Sequence, residues 1–237
     1  MVLLWRPGIN RDMLSQGSLV QPHGDSEHGR RMGNKNRLII GLSGASGVIY
    51  GVRLLKMLRP MGVETHLVMT RAAEVTLAHE TDLRVQDVKD LADEVHGVTD
   101  MAAPISSGSF KTVGMIVAPC SIKSAAEIAS GATSTLLSRA ADVTLKERRR
   151  LVLMLRETPL HTGHLRMLTT LSELGAVVAP PVPAFYARPQ SLEAMVDHTL
   201  GRVLDLFGLE SGTVARWGEP RPEGVEPLRR PRSRESR

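Results

Sequence analysis

Five short runs along the chain are built around apolar stretches: 37–42 (RLIIGL), 64–70 (ETHLVMT), 112–118 (TVGMIVA), 150–156 (RLVLMLR) and 175–180 (GAVVAP). Runs of this length predict strands. Between and after them apolar positions return at helical spacing, as Leu54, Leu55 and Leu58 do, predicting helices over 47–59, 71–79, 85–95, 121–130, 134–147, 163–174 and 191–207. Strands that are apolar on both faces belong in a parallel sheet covered on both sides. With right-handed crossovers, five of them take the order 2-1-3-4-5. The expectation is a doubly wound, mainly parallel α/β sheet in three layers, Rossmann- or flavodoxin-like, forming one domain over residues 37–217. Residues 1–36 and 218–237 show no sustained period and predict disordered ends, with Met32 a candidate start just before the first strand.

In this winding the chain reverses direction between the first and third strands, and a crevice opens at their carboxyl ends. Two small, hydroxyl-bearing loops flank it, 43–47 (SGASG) and 119–124 (PCSIKS), each followed directly by a helix. Glycines let backbone N–H groups approach a ligand, and a helix N-terminus favours an anion. The spacing G-x-x-G-x-x-G (Gly41, Gly44, Gly47) departs from the dinucleotide fingerprint. Two such loops at one place favour a ligand site over the alternative reading, ordinary helix caps.

Composition narrows the partners. The net charge of +5 sits mainly in the ends, since residues 1–36 carry five basic and three acidic side chains, and residues 218–237 six and four. Aromatics make up only 3% of residues, too few to stack bases along a groove, so nucleic acid is not the expected ligand. A single cysteine, Cys120, excludes an internal disulfide framework and fits a reducing compartment such as the cytoplasm. No apolar run approaches the roughly 18–20 residues of a membrane span, and Arg6 and Pro7 break the apolar start in a way a secretory signal does not.

Chemistry-bearing side chains collect near predicted element ends. Arg139 and Lys146 lie seven residues apart on one helix, about two turns, and so project from one face. Arg139 sits among Leu136, Leu137, Ala140 and Ala141, where an arginine calls for an anionic partner. Arg156 and Glu157 end the fourth strand on the ligand edge, with Glu157 a candidate proton-transfer group. Phe185 and Tyr186 follow a proline-rich turn, and Arg202 interrupts the last helix. His161 and His164 read as loop and cap residues rather than metal ligands. Cys120 has no base beside it and reads as a small buried residue. Together these groups suggest a planar ligand plus a phosphate held by Lys, Arg and Tyr.

The segments GLSGASGVIYGVRLL, HETD (79–82), ISSGSF (105–110), PCSIKS, SRAADVTLKERRRLVLMLRETPLH (138–161), VPAFYARPQS (182–191) and RWGE (216–219) resemble, in order, the UbiX-type flavin prenyltransferases, formerly regarded as aromatic-acid (polyprenyl-hydroxybenzoate) decarboxylases. The resemblance implies alkylation of reduced FMN at N5 and C6 by dimethylallyl monophosphate, without a metal. The prenylated FMN would serve UbiD-type decarboxylases, in ubiquinone synthesis or phenolic-acid breakdown. It implies that Gly44, Ala45, Ser46, Thr70, Ser121, Ile122, Lys123, Ser124 and Arg139 contact the flavin. Ser107, Gly108, Lys146, Arg156, Glu157, Tyr186 and Arg202 would line the prenyl-phosphate pocket, with Trp217 closing it. Ser46, Glu80, Lys146 and Glu157 would be catalytic. A homo-oligomer, a dodecamer, is expected from the family. The alternatives are a flavin-dependent aromatic-acid decarboxylase and a non-catalytic flavin carrier.

Overall fold

The computed structural model describes residues 36–214 and 216. The expectations for both ends, for Met32 and for Trp217 lie outside them. Six parallel strands form one sheet: β1 (Arg37–Leu42), β2 (Glu64–Met69), β3 (Glu94–His96), β4 (Gly114–Cys120), β5 (Arg150–Leu155) and β6 (Val177–Val178), in the order β3-β2-β1-β4-β5-β6. The expected five-strand order is recovered within it, extended by β3 at one edge.

β3 corrects the sequence reading. The helix predicted over 85–95 is only α3 (Val85–Lys89), and the chain then extends so that Glu94–His96 pairs with His66–Val68. Side chains across that pairing outweigh local helix preference. His66 Nδ1 lies 3.0 Å from His96 Nε2, and the two rings stack. The expected 112–118 strand begins two residues later and runs on to Cys120, and the 175–180 strand shrinks to Val177–Val178.

Residues alternate across the sheet, as a strand's pleat requires. Leu38, Ile40 and Leu42 enter one core with α1 (Ile49–Leu58), α2 (Arg71–Glu80) and α7 (Leu192–Asp205). Ile39, Met115 and Val117 enter the other core with α4 (Ile122–Ser130), α5 (Leu136–Lys146) and α6 (Thr162–Glu173). β4 is buried along all of its length, which is why its sequence shows no polar alternation. The crevice therefore opens at the carboxyl ends of β1 and β4, where the connections diverge to opposite sides of the sheet.

Candidate flavin and prenyl-phosphate site

The two loops at that crevice are tied together by one buried side chain. Ser43 Oγ donates to the Pro119 carbonyl at 2.9 Å and accepts the Ser121 N–H at 2.7 Å. Ser43 N–H reaches the same carbonyl at 3.2 Å. From the sequence, Ser43 is one hydroxyl of a small loop. Its clamp joins residues 78 positions apart, and no local pattern announces it. Beyond it Gly44 passes so close to α2 that a Cβ there would lie 2.3 Å from the Ala72 Cβ, and Gly47 takes φ +95. Both positions need glycine, the first for space and the second for its left-handed backbone.

Glu80, at the end of α2, holds the far side of the loop. Its carboxylate accepts the Gly47 N–H at 2.9 and 3.1 Å and the Val48 N–H at 3.0 Å. Burial pushes this carboxyl up. Hydrogen bonds from Ser46 and from the two amides, with the Arg156 charge, outweigh it and hold the group below the ordinary glutamate range. Arg156 also acts on Tyr50, whose phenol is raised by burial and lowered by that guanidinium. Ser46, Glu80, Tyr50 and Arg156 thus share one corner, and Tyr50 is a member that the sequence reading passed over.

A cavity of about 540 Å³ opens beside this loop, lined by Gly44, Thr70, Ser121, Lys123, Ser124 and Thr135 among others. Thr70, Ser121 and Thr135 each cap a helix, accepting the N–H groups of Ala73, Ser124 and Ser138. Three helix N-termini with their hydroxyls converge on one cleft, a set of partial positive charges suited to a phosphate-bearing ligand. The volume falls within the usual range for small-molecule sites. Glycine backbone, hydroxyls and helix N-termini are the donors a flavin phosphate and ring need, so the residues fit FMN.

The remaining predicted residues lie elsewhere on the chain. Lys146 ends α5 and pairs with Glu147, and a Cβ on Gly108 would lie 2.8 Å from the Lys146 Nζ. The Arg149 guanidinium donates to the Gly108 and Phe110 carbonyls at 2.6 and 2.7 Å, and Ser107 Oγ lies 2.9 Å from Ser109 Oγ. This cluster sits where β5 begins, whereas Arg156 and Glu157 follow its end. Six strand residues separate the two, roughly 20 Å at the rise of an extended chain. Arg139, on α5, donates to the Ser106 carbonyl at 3.1 Å and to Asp142 at 2.9 Å. The anionic partner it was expected to have is thus a half-buried neighbour on its own helix.

Tyr186 meets His198 of α7 ring to ring, and Arg202, further along that helix, donates to Asp205 at 2.7 Å. Within one chain the structure brings Ser46, Glu80 and Arg156 to one corner but does not bring Ser107, Gly108 and Lys146 to it. His161 caps α6, its Nδ1 accepting the His164 N–H at 3.3 Å. Among the described residues no group of three or more His, Cys, Asp or Glu is placed to hold a metal ion. Burial pushes the Cys120 thiol up to about 12, as suits an inert packing residue. No described helix is long and apolar enough to cross a membrane.

Comparison with known proteins agrees with this geometry. The Flavoprotein family model matches residues 25–204. The flavin prenyltransferase UbiX of Escherichia coli is 58% identical over 184 residues, covering 76% of this chain and 97% of that protein. The crystal structure of AnUbiX in complex with FMN and dimethylallyl pyrophosphate superposes with a TM-score of 0.77 at 51% identity, over 78% of this chain and 99% of that one. A dodecameric FMN-dependent UbiX-like decarboxylase from Escherichia coli gives 0.75 at 50% identity, over 77% and 100%.

Proposed function

This chain belongs to the flavoprotein family, in its UbiX-type flavin prenyltransferase branch, and from that premise we infer that it joins the dimethylallyl group of dimethylallyl monophosphate to reduced FMN. The observation that carries the reading is the cleft at the switch point, with three helix N-termini and the Ser43–Gly47 loop around it. When bound there, reduced flavin supplies an electron-rich N5 and C6, to which prenyl C1 and C3 become joined.

The chain's own residues would do the rest. Gly44, Ala45 and Ser46, braced by Glu80, present backbone and hydroxyl to the ring. Thr70, residues 121–124 and Arg139 complete its binding. Arg156, Lys146, Arg202 and Tyr186 hold the donor phosphate and stabilise charge as it departs, with Ser107 and Gly108 shaping the pocket. Glu157, whose Oε1 accepts the Thr158 N–H at 3.0 Å, takes up protons released at N5 and C6. Holding the allyl carbon over N5 lowers the remaining barrier by orientation.

Because Lys146 and Arg156 lie at opposite ends of β5, one phosphate cannot meet both on a single chain. The reading therefore requires a homo-oligomer in which one copy's Ser107, Gly108 and Lys146 complete another's flavin corner. The dodecameric relative supports such an assembly. We assign the product to UbiD-type decarboxylases and place the enzyme in the cytoplasm, a reading that the single buried cysteine supports.

Anaerobic incubation with FMN, a reductant and dimethylallyl monophosphate, followed by mass spectrometry of the released flavin, tests the function. The expected flavin carries one five-carbon adduct. Flavin recovered unchanged would refute the reading.

A further inference from the structure

His198, in the middle of α7, is only 4% exposed, yet neither of its ring nitrogens has a hydrogen-bond partner. Buried polar atoms without partners are uncommon in folded proteins, and each calls for a reason. An aliphatic side chain would fill a buried position at lower cost, so packing alone does not account for a ring here.

Its neighbour supplies a reason. The imidazole stands 5.7 Å from the ring of Tyr186 with 82° between their planes, the perpendicular contact in which one ring offers its edge to the other's face. Tyr186 is 51% exposed and belongs to a three-residue turn, Phe185–Ala187, with no buried residue of its own. His198, packed against it, is held firmly. Its preceding residue, Asp197, is gripped by two nitrogens of Arg53 on α1, and the Asp197 carbonyl accepts the Thr213 hydroxyl at 3.1 Å. Arg202 lies four residues further along α7, on the same side of the helix.

We infer that His198 is a positioning residue for the prenyl donor: its ring sets Tyr186 in the orientation from which the phenol meets the donor phosphate, on the side of α7 that carries Arg202. The inference rests on the assignment of Tyr186 to the phosphate pocket.

Steady-state kinetics in dimethylallyl monophosphate at saturating reduced FMN, alongside melting temperature and FMN affinity, test it with His198→Leu, His198→Phe and Tyr186→Phe. Both His198 variants lose the unpartnered nitrogens and are expected to melt at or above the wild-type temperature. His198→Leu also loses the ring contact, and its donor KM should rise about three- to tenfold with kcat and FMN affinity unchanged. His198→Phe keeps a ring and should hold KM within about twofold. His198→Met replaces the leucine variant if branching disturbs the helix. A wild-type KM in the aliphatic variant, or an equal rise in both, would overturn the inference. Tyr186→Phe separates the two levels. A raised KM there with none in His198→Leu rejects His198 alone, whereas an unchanged KM rejects the assignment of Tyr186 and the inference with it.

Discussion

Removing the Glu80 carboxylate should loosen the Ser43–Gly47 loop before it does anything else. In Glu80→Ala the Gly47 and Val48 amides lose their acceptors. Hydrogen bonds to a charged acceptor contribute about 1.5–3 kcal/mol each when shielded. Glu80 is exposed, so water replaces part of what is lost, and solvent screening reduces the charge contribution. Taking the low end for two amides and halving it leaves about 1.5 kcal/mol, close to a tenfold change in a local opening equilibrium. Hydrogen exchange at Gly47 and Val48 is the direct assay, with expected protection roughly tenfold lower and flavin affinity reduced by no more than that. Glu80→Gln keeps one carbonyl acceptor and should lie between.

The pH dependence has a definite sign. The Glu80 carboxyl is held below its ordinary value in the folded chain, so its contribution is present above the unfolded glutamate pKa and disappears as pH falls through the lower folded value. Protection of the two amides should therefore persist into acid where an ordinary glutamate is already protonated. Unchanged exchange at Gly47 and Val48 in Glu80→Ala would refute the clamp.

Ser43→Ala removes the acceptor of the half-buried Ser121 N–H and should lower stability by about 1 kcal/mol, read as a fall in melting temperature together with weaker FMN binding. Glu157→Gln should leave FMN affinity intact and slow turnover by about 10²-fold or more, the usual weight of general acid–base catalysis, in single-turnover mass spectrometry. Cys120, buried with its thiol at about 12, should resist iodoacetamide at pH 8 in the native protein and react fully once it is unfolded. Mixing inactive Lys146→Ala and Glu157→Gln subunits under conditions of exchange should restore part of the activity, because a shared site can draw each intact residue from a different copy. Mixtures as inactive as their parents would place the whole site on one chain.

The strand at 37–42 was readable to the residue because burial on both faces demands a nearly unbroken apolar run, which is a local property, and β2 shares that property over Leu67–Met69. The loop Ser43–Gly47 was readable for a related reason, since glycine and hydroxyl residues mark where a parallel strand hands over to a helix, whereas the loop expected over 119–124 narrows to Ser121, because β4 runs on to Cys120 and α4 starts at Ile122. β3 was hidden because Glu94–His96 becomes a strand only through His66 and the edge of β2, partners that helical spacing over 85–95 does not reveal. The same holds for His198, whose neighbour Tyr186 arrives from a different element.

By itself the sequence determined the layers, the crevice at the winding reversal and the residue types that could meet a flavin and a phosphate. Each of those follows from periodicity and backbone chemistry within a few turns of chain. Only the tertiary structure decided that Ser43 bolts the 43–47 loop to the end of β4 and that Glu80 braces the same loop from α2. Those are distances between residues far apart along the chain, and such distances exist only once the sheet has formed.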